Sequence, residues 1–127
     1  MKKLLLTLLF LSACVSLSES ERATLYELEQ YGAPIPVRTV ANPKTAAFLN
    51  VLPGVGNFYL ACGEGGELIQ LPIGIIHLLT WPFSPLWSVA QAYKDANSLN
   101  KKETVLYYRQ TPQGRAELKK LQQNASF

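Results

Sequence analysis

His77 is the only histidine among the 127 residues, and it lies near the middle of an uncharged apolar stretch, residues 68–89. Catalysis by a histidine usually requires a partner, and the nearest acidic residues, Glu64, Glu67 and Asp95, lie outside that stretch. A single histidine without a cysteine pair or clustered carboxylates also argues against a protein-ligated metal. The sequence therefore predicts a protein that is not an enzyme and that binds no metal and no cofactor.

A polar contact inside the apolar segments is the more plausible role for His77. Ionisable groups in such segments are costly and need a partner. If the chain folds back about Gly65, His77 faces Pro53, and Asn50 and Asn57 lie about one helical turn, roughly 5–6 Å, to either side. We expect neutral His77 to bond to Asn50 or Asn57 and to fix the register of an intramembrane hairpin. Proton handling is the alternative role.

Cys14 is the residue whose chemistry the sequence specifies best. Two lysines and a short apolar run, residues 4–11, form a secretory signal peptide that is too short for the roughly 20 residues of a membrane-spanning helix. Leu11-Ser12-Ala13-Cys14 then resembles the bacterial lipobox, in which the thiol is acylated and the cysteine becomes the new N-terminus. We expect a signal peptide over residues 1–13 and lipidation of Cys14, with cleavage at a plain signal peptide as the alternative.

The net charge and the number of cysteines limit the classes of partner that the protein can bind. The chain has 12 basic and 9 acidic residues, and removing residues 1–13 removes two lysines, which leaves a nearly neutral chain. This balance gives no electrostatic case for nucleic acid. With Cys14 lipidated, Cys62 has no disulfide partner, and we expect it to be a buried free thiol. The predicted partners are membrane lipids and another envelope protein, or a second copy of the chain.

The segment that follows the lipidation site, residues 14–43, is predicted to be a short helix and a tether. Ser18 and Glu21 fit a capping box for a helix over residues 18–31, with Leu25 and Leu28 on one face. Three prolines over residues 33–43 predict an extended, Pro-rich tether.

Two apolar stretches without a charge dominate the centre, one of 18 residues, 45–62, and one of 22 residues, 68–89. Both meet the length rule for membrane helices, and both are interrupted by proline, glycine or asparagine. Two such segments packed as a hairpin tolerate these residues better than one, because glycine permits close approach and asparagine can bond across. The sequence predicts a membrane-embedded hairpin, with a soluble helical core as the alternative. The packing residues are Gly54, Gly56, Asn57, Phe58 and Tyr59.

The turn between the two stretches poses a topological conflict. Residues 63–67 contain two glutamates and no basic residue, whereas the flanks carry Arg38, Lys44, Lys94, Lys101 and Lys102. A full two-span hairpin would place this acidic turn in the cytoplasm, against the positive-inside tendency. A shallow or re-entrant hairpin relieves the conflict, and the two arrangements remain open.

The C-terminal part is predicted to be helical with one short strand. A helix over residues 88–99 continues from the second stretch. Its solvent-exposed face is expected to carry Lys94, Asp95, Asn97 and Asn100. Residues 104–109 are β-branched and aromatic enough for a strand. Thr111 followed by proline predicts a helix start, with a helix over 113–123. Residues 103–127 form a polar tail.

Residues 44–102 resemble the TM-two domain family and its lipoprotein relatives. The resemblance is carried by Leu52-Pro53-Gly54-Val55-Gly56-Asn57-Phe58-Tyr59-Leu60, by the tryptophan-containing second segment and by Ala92-Tyr93-Lys94-Asp95-Ala96. It implies two membrane helices joined by a short turn, and it implies no settled activity.

Together these features predict an all-α, membrane-associated helical hairpin with flanking short helices and an N-terminal lipid anchor. The expected protein is a small lipoprotein of the cell envelope, largely periplasmic, with an interaction or structural role. The alternatives are a phage-derived or host envelope-modifying exclusion lipoprotein, an accessory subunit of an envelope transport complex or channel, and a soluble lipid-binding domain.

Overall fold

A computed structural model describes residues 15–126, which form six α-helices and no strand. The all-α class is therefore confirmed for this part of the chain. The predicted signal peptide, residues 1–13, and the predicted lipidation site, Cys14, lie outside the described residues, as does Phe127. The helices are α1 (Glu19–Gln30), α2 (Pro43–Leu49), α3 (Val55–Cys62), α4 (Gln70–Leu79), α5 (Pro85–Gln110) and α6 (Pro112–Ala125).

Helix α5 is the element on which the others assemble. It has 26 residues, about 39 Å at 1.5 Å per residue, and it packs against α1, α2, α3 and α6. The predicted strand over residues 104–109 is wrong, because this segment continues α5. The Thr104 hydroxyl donates to the Asn100 carbonyl at 2.9 Å, and Val105 and Tyr108 are both buried at a spacing of three residues. Helical packing thus outweighs local strand propensity.

The N-terminal helix and the tether both dock on α5. Ser18 caps α1 and forms the predicted capping box with Glu21, and Leu25 and Leu28 are buried. The tether after α1 has no regular secondary structure, and side chains of α5 hold its backbone. The Val37 N–H donates to Thr104 Oγ1 at 3.0 Å, and Asn100 bonds to the tether at Val40 and Ala41. The tether is therefore attached to α5 between Val37 and Ala41.

Each apolar stretch is divided between two helices. The first stretch contains most of α2 and all of α3, and the second contains α4 and the start of α5. Helices α3 and α4 have 8 and 10 residues, about 12 and 15 Å, against a hydrocarbon core about 30 Å thick. Each of these two helices therefore covers at most about half of that thickness. Between residues 15 and 126, no helix combines the length and the apolar character needed to cross a membrane.

Close backbone contact joins α3 to its neighbours at the predicted glycines. A Cβ added to Gly54 would lie 2.1 Å from the Gly74 carbonyl oxygen, and one added to Gly56 would lie 2.3 Å from the Ala46 carbonyl oxygen. Folding about Gly65 predicts residue 76 opposite Gly54, and the contact with Gly74 differs by two residues. The Phe58 ring lies against Gly74, while the Tyr59 hydroxyl accepts from the Asn42 N–H at 3.1 Å.

Replacing Gly54 with alanine should destabilise the protein more than the same change at Gly32. Both glycines have positive φ, +79° and +71°, but nothing lies within 4 Å of a Cβ at Gly32. Gly32→Ala should cost about 1–2 kcal/mol from backbone strain. Gly54→Ala should cost roughly 1–3 kcal/mol more, because the added methyl overlaps backbone. Urea unfolding in mild detergent measures both, and equal losses would contradict the contact with Gly74.

Candidate functional site

Five polar side chains form a connected cluster inside the helices. Asn50 follows α2, Asn57 belongs to α3, Gln70 and His77 belong to α4, and Asp95 belongs to α5. Each is at most 3% exposed. We call these five residues the polar core; buried polar groups of this kind are stable when they bond to each other.

Asn57 is the centre of the polar core. Its Nδ2 donates to Gln70 Oε1 at 2.6 Å, and its Oδ1 accepts from Asn50 Nδ2 at 3.0 Å. His77 Nδ1 lies 2.9 Å from the same Oδ1. The structure therefore brings together all three residues of the expected polar contact, and His77 bonds to Asn57 rather than to Asn50. These polar atoms therefore find their partners within one chain.

The carboxylate of Asp95 sets the direction of these bonds. It accepts from Gln70 Nε2 at 3.0 Å, so Gln70 Oε1 faces Asn57 Nδ2 and Asn57 Oδ1 is left as an acceptor. His77 must then carry its proton on Nδ1. Burial lowers the pKa of His77, which keeps the ring neutral. Two amides separate the acid from the imidazole, so the arrangement is suited to holding helices in register.

Asn50 joins three helices at the end of the bundle that contains the α4–α5 connection. Its Nδ2 also donates to the Ser88 carbonyl at 2.9 Å, and its Oδ1 accepts from the Gly56 N–H at 2.9 Å. Gly56 lies in the first turn of α3, where backbone N–H groups have no partner within the helix. Asn50 thus accepts a hydrogen bond from a free backbone N–H at the start of α3, and it also joins α2 to α5.

Asp95 is the residue of this cluster that the sequence analysis misplaced. It was expected on a wet face together with Asn100, but both are buried. Its other oxygen accepts from the Val15 N–H at 3.0 Å. Burial raises the pKa of Asp95 to about 6, and the negative charge of Glu67 adds a smaller contribution in the same direction. The hydrogen bonds from Gln70 and Val15 oppose this rise. Its burial could have been predicted from its place on one helical face with Ala92 and Leu99, three residues before it and four residues after it.

Apolar side chains cover the outside of the same helices. In α4, Gln70 and His77 face inward, whereas Leu71, Ile75 and Leu78 face outward. Twelve of the fifteen exposed large hydrophobic residues between positions 15 and 126 fall within residues 48–86. We call these twelve residues the apolar cap. They are Phe48, Val51, Leu52, Leu68, Ile69, Leu71, Ile75, Leu78, Leu79, Trp81, Phe83 and Leu86. This distribution is the reverse of that on a helix whose outer face meets water.

The acidic turn between α3 and α4 lies at the charged end of the molecule. Glu67 pairs with Lys102, and Glu64 lies 3.9 Å from Arg38. The turn therefore sits beside the middle of α5, far from Leu86 at its N-terminal end. The basic flanks and the acidic turn lie at the same end of the bundle. A conflict with the positive-inside tendency was expected only if the turn lay on the opposite side of the membrane from the flanks, and it therefore does not arise.

The expectation of a buried thiol at Cys62 is wrong. Cys62 is exposed rather than buried, because it ends α3 next to the open turn. Residues 15–126 contain no group of three or more metal-ligating side chains.

Comparison with known proteins adds no relative: no protein-family model matches the chain, and neither a curated protein nor a solved structure is significantly similar to it. The resemblance of residues 44–102 to the TM-two domain family stays a prediction.

Asp95 should make the stability of the protein depend on pH. Its pKa is higher in the folded state, about 6, than the ordinary value of 3.8, so the folded state binds the proton more tightly. Its contribution is fully present below about pH 4 and is lost as the pH rises through 6. The unfolding free energy of wild type minus that of Asp95→Asn should therefore fall by about 2–2.5 kcal/mol between pH 4 and pH 7. A difference that does not vary with pH would contradict this assignment.

Asn57→Leu should destabilise the bundle more than His77→Leu. The first change leaves Gln70 Oε1 and His77 Nδ1 without a partner, at about 1–3 kcal/mol for each unsatisfied group. It also removes one of the two partners of Asn50 Nδ2, which keeps its bond to the Ser88 carbonyl. The second change leaves Asn57 Oδ1 still bonded to Asn50. Urea unfolding of the two variants measures the difference, and a larger loss for His77→Leu would show that Asn57 is not the centre.

Proposed function

We propose that this protein is a small lipoprotein of the bacterial envelope that inserts its apolar cap into one leaflet of a membrane. The observation that supports this proposal best is the reversed distribution of side chains in α4. Its buried face carries the polar residues Gln70 and His77 beside Ile73 and Gly74, and its exposed face carries leucine and isoleucine. A continuous exposed apolar surface marks a membrane or protein interaction site.

The dimensions of the cap match a single leaflet. Asp95 and Leu86 are nine residues apart on α5, about 14 Å along the axis, and half of the hydrocarbon core is about 15 Å. Above that level lie charged residues that include Lys44, Lys101 and Lys102. The chain thus dips into the leaflet twice, through α2 and α3 and again through α4 and α5, and returns each time to the charged side.

The expected lipid anchor fits the same orientation. Val15 directly follows Cys14, and its N–H is bonded to Asp95. Asp95 lies at the level where the cap ends. A lipidated Cys14 would therefore enter the leaflet into which the cap inserts, and anchor and cap would act together.

The proposed role is non-enzymatic, as an interaction or structural component that works beside another envelope protein. The parts available for such contacts are the charged end of the bundle and α6, which is exposed and polar along most of its length. Insertion of the cap would hold these parts at the membrane surface.

A leucine-to-lysine change in the cap should release the protein when the lipid anchor is absent. Cys14→Ser protein should stay in the membrane through alkaline carbonate extraction. Adding Leu79→Lys should release it, because a lysine within the bilayer costs about 2.5–3.5 kcal/mol. Leu106→Lys is the matched control, because Leu106 is also exposed but lies on α5 outside the cap.

Two results would contradict the proposal. Release of Cys14→Ser protein by carbonate would show that lipid is the sole anchor. Equal release by Leu79→Lys and Leu106→Lys would show that the cap does not enter the bilayer.

A further inference from the structure

An open groove runs between α2 and α5 on the side of the bundle. Its volume is about 570 Å³. Six of its seven lining residues are apolar or aromatic, and one, Lys94, is charged. The lining consists of Ala47, Pro85, Leu86, Val89, Ala90, Tyr93 and Lys94.

The groove has an apolar end and a charged end, and they lie in the order found in a lipid. Leu86 belongs to the apolar cap, and Lys94 is eight residues further along α5, about 12 Å away along the axis. Lys94 is next to Asp95, the level at which the cap ends. On the orientation proposed above, Leu86 lies at the depth of acyl chains and Lys94 at the depth of headgroups, with Tyr93 at the interface.

The charge at the outer end of the groove is positive. Lys94 lines it, and exposed Lys44 lies one turn before Ala47 on α2. Asp95 is adjacent in the sequence, but its carboxylate is buried and bonded to Gln70 and Val15, away from solvent. No acidic side chain lines the groove.

We propose that the α2–α5 groove binds one anionic phospholipid, with an acyl chain along Leu86, Val89 and Ala90 and the headgroup phosphate beside Lys94. This inference rests on the proposed insertion of the cap. A phospholipid explains the charged end better than the acyl chains of the protein's own anchor, because a diacylglyceryl group carries no phosphate for Lys94 to neutralise.

Native mass spectrometry of the full lipidated protein tests the proposal. The protein is released from nanodiscs of equal parts phosphatidylglycerol and phosphatidylcholine, and the bound lipids are counted. Wild type should retain one phosphatidylglycerol in preference to phosphatidylcholine. Lys94→Gln should reduce that preference about fivefold, the effect of one basic residue near an anionic surface. Lys101→Gln is the matched control, an exposed lysine on α5 that does not line the groove.

Ala90→Trp tests the groove separately from its charge. The indole should occupy the apolar part of the groove and displace the lipid, while the rest of the surface is unchanged. Three results would overturn the proposal: equal retention of both lipids by wild type, equal effects of Lys94→Gln and Lys101→Gln, or retention that appears only in Cys14→Ser, which would show that the anchor's own chains fill the groove.

Flotation with vesicles of pure phosphatidylcholine distinguishes a failure of the groove proposal from a failure of the proposed function. Cys14→Ser protein that fails to float would contradict insertion of the cap itself. Protein that floats without preferring phosphatidylglycerol would contradict the groove site alone.

Discussion

The shared bonds of Asn57 are the constraint on which the rest of the structure depends. Its amide joins the partners on α4 to Asn50, and through Gln70 it reaches Asp95 on α5. The exposed face of α4 offers no polar side chain to replace these bonds, because it carries leucine and isoleucine. The helices must therefore satisfy their polar side chains internally, and this requirement fixes their order and their register.

The sequence predicted those features correctly that depend on residues close together in the chain. The capping box at Ser18, the helix start at Thr111 and the close approach of Gly54 all follow from short-range patterns or from the lack of a side chain. The bond between His77 and Asn57 could be expected because an isolated polar group in an apolar segment needs a partner.

The misplaced features depend on contacts between residues far apart in the sequence. Asp95 and Asn100 look like solvated residues next to lysines, and only the docking of Val15 and of the tether on α5 explains their burial. Residues 104–109 have strand-forming side chains, but the packing of α5 decides their conformation. The direction of the acidic turn could not be inferred from charge counting, because Glu67 pairs with Lys102, 35 residues away.

The bond between Val15 and Asp95 has a consequence for how far the protein can reach. Many lipid-anchored proteins are separated from their anchor by a flexible linker that lets them search a large volume. If Cys14 carries the proposed lipid, the residue that follows it is already fixed to the bundle, and no flexible linker separates the bundle from the anchor. Fifteen residues of α5 follow Asp95, about 22 Å of rigid helix. A protein inserted in the membrane as proposed would present α6 at a set height, and it would select partners whose complementary surface lies in that same thin layer.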